Sequence, residues 1–109
     1  MRVLFLVPPD TLSIESSVPD QLEKRKEFRQ RLGLLSVAAH LEHVTGERPQ
    51  FLDVSVLGNT YKVLEDELET LETPDLVGLS VLTFNMLDAR QTAKMVRARF
   101  PHAKIVAGG

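Results

Sequence analysis

The stretch "DLVGLSVLTFN", residues 75–85, decides the fold. Leu76 to Leu82 form an apolar run interrupted by Ser80, and the segment closes on Thr83 and Asn85. A strand with one wet face alternates apolar and polar residues. A strand that is apolar almost throughout must be covered on both faces, as in a parallel sheet. The polar residues then fall where the strand leaves the core.

The neighbouring segments repeat this logic. Downstream, "NMLDARQTAKMVRARF" (85–100) reads as a helix. Asn85 is placed to cap it, Asp88 lies near the positive end of its dipole, and Lys94, Arg97 and Arg99 gather toward the negative end. Pro101 ends it, His102 follows in an exposed turn, and "AKIVAGG" (103–109) is a further strand. Met86 and Met95 read as packing residues. Upstream, "TPD" (73–75) breaks a helix over "YKVLEDELETL" (61–71), capped by Asn59 or Thr60. Tyr61, Leu64, Leu68 and Leu71 share one face of it. "GNT" (58–60) is a turn after a strand over "QFLDVSV" (50–56).

"LGLLSVAAHLEHVTG" (32–46) reads as an amphipathic helix with a stripe of Leu34, Leu35, Ala38, Leu41 and Val44, stopped at Gly46. The charged "QLEKRKEFRQR" (21–31) before it is a solvated helical extension, and residues 8–20 form a loop. "RVLFLV" (2–7) is the first strand, stopped by Pro8-Pro9. It is too short and wrongly flanked to be a signal peptide.

The order β-α-β-α-β-α-β with apolar strands gives the α/β class. The architecture expected is a doubly wound open parallel sheet, flavodoxin-like or Rossmann-like, with strand order 2-1-3-4. Such sheets usually carry a fifth strand. Residues 1–109 are therefore expected to be one domain cut short at its C-terminal end, the fifth strand missing.

Composition excludes several functions. A chain of 109 residues builds one small domain. The net charge of -2 leaves no basic excess for phosphate contacts, so no nucleic acid is expected. The apolar runs fall far short of the ~20 residues a membrane helix needs, so no membrane is expected either. There is no cysteine, which fits a cytoplasmic protein and removes disulfides and thiolate-held metals from these residues.

In open α/β sheets the ligand crevice lies beyond the carboxyl ends of the strands. There the sequence offers Pro8, Pro9, Asp10 and Thr11 after the first strand, and Asp53 or the "SVLGN" turn after the second. Ser80, Leu82 and Thr83 follow at the third, and Gly108 and Gly109 at the fourth. No G-x-G-x-x-G, Walker A motif or G-x-S-x-G elbow occurs. A receiver-like phosphorylation site is disfavoured, because the first strand ends in Val7-Pro8-Pro9 with Asp10 as its sole acid. His40 and His43 are three apart on one helix, but no third ligand accompanies them, and they read as surface residues. No residue reads as catalytic or as a metal ligand. Hydroxyls and glycines make a site that binds rather than reacts: small residues admit a bulky ligand, and hydroxyls bond to it without charge.

In order, "RVLFLVPPD", "GLLSVAAHLEHVTG", "FLD", "PDLVGLSVLTFN" and "FPHAKIVAGG" resemble the N-terminal cobalamin-binding domain of radical SAM enzymes. The resemblance covers almost the whole chain and is weakest over residues 10–31. It matches the family's Pro-Pro turn at Pro8-Pro9 and its Gly-Leu-Leu helix start at Gly33-Leu34-Leu35. It also implies that Ser80-Val81-Leu82 and Gly108-Gly109 accommodate the nucleotide tail of the cofactor. The wider cobalamin-binding fold, as in methionine synthase and the cobalamin mutases, carries Asp-x-His-x-x-Gly after the first strand, and its His ligates cobalt. Here the first histidine is His40, so the resemblance implies binding without a protein histidine on the metal.

The cofactor-binding residues implied are Pro8, Pro9, Asp10, Ser80, Leu82, Thr83, Gly108 and Gly109. The implied partner is a radical SAM domain downstream in the same chain, with S-adenosylmethionine and a [4Fe-4S] cluster held by Cys-x-x-x-Cys-x-x-Cys beyond residue 109. The parent enzyme would catalyse methyl transfer, cyclisation or another radical rearrangement, and these residues alone would catalyse nothing. The alternative is a degenerate cobalamin-binding-like fold acting as a non-catalytic interaction or regulatory domain.

Overall fold

The structure is a computed structural model that describes residues 1–11, 20–82 and 85–108, the side chains of 20–32 excepted. Four parallel strands, β1 (Val3–Val7), β2 (Gln50–Asp53), β3 (Leu76–Ser80) and β4 (Lys104–Gly108), form one sheet in the order β2-β1-β3-β4. This is the expected doubly wound α/β sheet. Helices α1 (Asp20–Thr45), α2 (Val54–Leu57), α3 (Tyr61–Thr70) and α4 (Met86–Arg99) connect the strands.

The core lies between one sheet face and helices α3 and α4. Leu4, Leu6, Leu52, Val77 and Leu79 supply the sheet side, and Leu64, Leu68, Val96 and Phe100 the helix side. Alternation sends Val3, Phe5 and Val7 to the opposite face, where they too are buried. All five residues of β1 are therefore buried, as an apolar central strand requires. β4 differs. As an edge strand it buries none of its residues fully, and Val106 is 55% exposed.

Phe5 meets an unusual neighbour on that second face. A Cβ added to Gly78 would sit 2.9 Å from Phe5 Cδ1. Alanine for glycine inside a strand ordinarily gains about 0.5–1 kcal/mol. At this position the sign should reverse. Gly78→Ala is expected to cost about 1–3 kcal/mol through overpacking, and less once Phe5 is shortened to leucine. Urea unfolding of the two single variants and the double variant measures the coupling. Additive costs would show that the ring does not impose the glycine.

The charged segment runs on into the amphipathic one as a single 26-residue helix, α1, the helical extension expected. Elsewhere the local structure departs from the sequence pattern. The apolar stripe of α1 is narrower than expected: Leu34, Ala38 and Leu41 are half-buried, while Leu35 and Val44 are exposed. At about 100° per residue the first three fall within one narrow arc, and Leu35 and Val44 fall well to either side of it. The second strand stops at Asp53 rather than at Val56, because Val54 turns inward to start α2 and is fully buried. The turn closes at Gly58, whose φ of 144° favours glycine.

Asn85 does not cap α4 through its side chain. It accepts instead from the Leu82 N–H (2.7 Å) and donates to the Ser80 carbonyl (3.2 Å), tying off the end of β3. Met86 is 54% exposed, whereas Met95 packs on the core as expected. Thr60 caps α3, accepting from the Val63 N–H at 3.2 Å. Among the described residues no helix is long and apolar enough to cross a membrane.

Candidate functional site

The carboxyl ends of the strands gather most of the residues marked by the sequence. Pro8 and Pro9 are fully buried, so they shape the exit of β1 from within, and Asp10 is its first partly open residue. Two hydrogen bonds fasten Asp10 to the turn after β2. Its N–H donates to Asn59 Oδ1 (2.6 Å), and Asn59 Nδ2 donates to its carbonyl (3.2 Å). Asn59 sits at φ 57°, a left-handed conformation that asparagine tolerates better than most residues. The "GNT" turn thus aims an amide at the backbone of the first loop. Asp53, at the end of β2, accepts from the Ser55 hydroxyl.

The ends of β3 and β4 lie side by side. Ser80 and Gly108 are register partners, so they occupy the same face, opposite Leu79 and the α3–α4 core. The pairing runs one step further, with the Val81 N–H donating to the Gly108 carbonyl at 2.8 Å. Ser80 is buried and Leu82 half-buried. Gly108 is exposed, and a Cβ built there would meet nothing within 4 Å. Below them on the same face lies Gly78 with the ring of Phe5 against it. The sheet therefore sets a buried serine beside an exposed glycine on the face that carries Gly78 and Phe5. Thr83 and Gly109, the other two residues marked here, lie outside the described residues.

A second cluster at this edge escaped the sequence reading. Asp88, in the first turn of α4, is fully buried. Its Oδ2 accepts from the Thr11 N–H (2.9 Å), and its Oδ1 from the Thr11 hydroxyl (2.8 Å) and from the Tyr61 hydroxyl. The Tyr61 phenol is pushed up to about 12, first by burial and then by the hydrogen bond to Asp88 and its charge, with Thr11 opposing. Local pattern assigned Asp88 to the helix dipole alone. The available signal was its phase: with Ala89, Thr92 and Val96 it falls on the buried stripe of α4. A carboxylate there needs donors.

Among the described residues the remaining polar groups form no further centre. His40, His43 and His102 are exposed. Among the described residues no group of three or more histidines and carboxylates is placed to hold a metal. A cleft lined by Val3, Leu41, Thr45 and Pro49 lies between α1 and the amino end of β1, away from the strand exits.

A family model described as B12 binding domain matches residues 22–109. No curated protein and no solved structure matches the chain.

Proposed function

Because the chain belongs to the B12-binding domain family, we propose that it is the cobalamin-binding module of a radical SAM enzyme and holds the cofactor without a protein histidine on cobalt. The carrying observation is the pairing of Ser80 with Gly108 on one sheet face. A long ligand tail lying along a sheet needs side chains that do not fill its path. Gly108 leaves that space open, and the small, uncharged Ser80 beside it adds neither bulk nor charge to that path. The residues present therefore fit the group. Leu82, Thr83 and Gly109 would extend the same lining, and the β1 exit at Pro8, Pro9 and Asp10 would bound the crevice.

When bound, cobalamin would supply cobalt-centred methyl-transfer or rearrangement chemistry to the parent enzyme. The residues of this chain bind and orient it. S-adenosylmethionine and the [4Fe-4S] cluster belong, in this reading, to a radical SAM domain beyond residue 109. The Pro8-Pro9 turn, the Gly33-Leu34-Leu35 helix start and the lack of any histidine before His40 support that branch of the family. A Cys-x-x-x-Cys-x-x-Cys motif downstream is the expected accompaniment.

Titration with hydroxocobalamin tests the reading by the change in the corrinoid absorption spectrum. Saturable binding is expected, and none at high micromolar cofactor would overturn it. Gly108→Val should weaken binding roughly tenfold, about 1.4 kcal/mol, by intruding on the open path. Ser80→Leu should act in the same direction. Gly108→Val is the cleaner probe, because a Cβ added there meets nothing within 4 Å among the described residues. Unchanged affinity in both variants would return Ser80 and Gly108 to a structural role.

A further inference from the structure

The exit of β1 is held from the far side of the site by a group that the cobalamin reading does not use. Asp88 belongs to α4, Tyr61 opens α3, and Thr11 is in the loop after β1. The carboxylate of Asp88 gathers Tyr61 and both donors of Thr11. Next to it Asn59 clasps the backbone of Asp10 on both its N–H and its carbonyl. Two consecutive residues are thus fixed by side chains from two other segments. This is costly to build for a surface turn, because Asp88 is fully buried and its charge must be met by partners. The amino end of α4 contributes the favourable half of its dipole to the same carboxylate.

We infer that Asp88 is a positioning residue for the ligand-facing exit of β1, setting the path of residues 10–11 through Thr11 and Tyr61 so that the crevice is formed before a ligand enters. This rests on the cobalamin-binding reading above. It assigns to α4 a task separate from Ser80 and Gly108. Those residues leave room, whereas Asp88 fixes a wall. Preorganisation of this kind raises affinity by sparing the ligand the cost of ordering the loop. Hydrogen bonds to a charged acceptor are among the stronger ones, so losing one should shift the loop equilibrium by roughly tenfold or more.

The experiment pairs two readouts on the 109-residue chain. Amide hydrogen exchange at Thr11 reports the loop, and hydroxocobalamin titration reports the crevice. Thr11→Val, Tyr61→Phe and Asp88→Asn are compared with Thr11→Ser, which keeps both donors. Exchange at residue 11 should quicken roughly tenfold in Tyr61→Phe and in Asp88→Asn, with the core amides of Leu6 and Val77 unchanged. Hydroxocobalamin affinity should fall roughly tenfold in the first three variants and recover in Thr11→Ser.

Unchanged exchange at residue 11 in both Tyr61→Phe and Asp88→Asn would overturn the inference. So would faster exchange with unaltered hydroxocobalamin affinity, since the loop would then be held for stability alone. If Asp88→Asn fails to fold, Thr11→Val and Tyr61→Phe decide. A wild-type chain that binds no hydroxocobalamin yet shows the exchange effect would overturn the cobalamin reading and leave Asp88 as a loop anchor without a ligand role.

Discussion

Leu6→Ala is expected to destabilise the chain by about 2–5 kcal/mol. Leu6 is fully buried, and its register partners are Leu52 on β2 and Leu79 on β3. All three belong to the face that packs against α3 and α4. Truncation removes the transfer energy of the lost methyl and methylene groups. It also leaves a cavity that three neighbouring strands cannot collapse into without breaking their ladders. Small domains hold only about 5–15 kcal/mol in total, so the variant should sit near the limit of folding. Val106→Ala is the control. It removes methyl groups from a residue 55% exposed on the edge strand and should change stability by about 0.5 kcal/mol or less. Urea unfolding measures both. Equal losses would mean that the core has been placed on the wrong face of the sheet.

The second large effect concerns pH. Tyr61 should ionise with a midpoint of about 12 instead of the ordinary 10.0, since burial and the Asp88 carboxylate both disfavour a phenolate. Two units correspond to about a hundredfold in proton affinity. The folded pKa lies above the unfolded one, so the contribution to stability is fully present below pH 10. It is then lost as the pH rises toward about 12, where the folded state also gives up the proton. Tyr61 is the single tyrosine and there is no tryptophan, so the near-ultraviolet band of the phenolate reads this one group without interference. Asp88→Asn should bring the midpoint only part of the way down, because burial is the larger cause. Tyr61→Phe should abolish the alkaline loss assigned to this group. A wild-type midpoint near 10 would show that the phenol is not held as the structure has it.

The legible parts of this fold were those written in local pattern. The apolar runs at residues 2–7 and 76–82, the Pro8-Pro9 stop and the alternation with helices led to the parallel sheet and its order 2-1-3-4. The same reading put Ser80 and Gly108 at strand ends, and the register sets them side by side. It erred where a tertiary partner outweighed local preference. Val54 looks like the middle of a strand, but its burial at the start of α2 turns the chain after Asp53. Asn85 looks like a cap, but the end of β3 presents Leu82 and Ser80 to its amide. Asp88 was the largest omission. Thr11 and Tyr61 are far from it in sequence, and no spacing rule links them. Polar residues in phase with a buried helical stripe are the clue to seek.

The central position of β1 has a consequence for the timing of folding. Of the four strands it is made first, yet its two neighbours begin at Gln50 and at Leu76. Parallel pairs cannot close through a hairpin, so "VLFLV" has no local partner while the chain grows. This apolar segment must wait, unpaired, at least until β2 is made, and during that interval it is the natural point of attachment for chaperones or for another nascent copy. Formation of the β1–β3 pair, which joins the chain's two halves, is then the step that ends the exposure and should limit the folding rate.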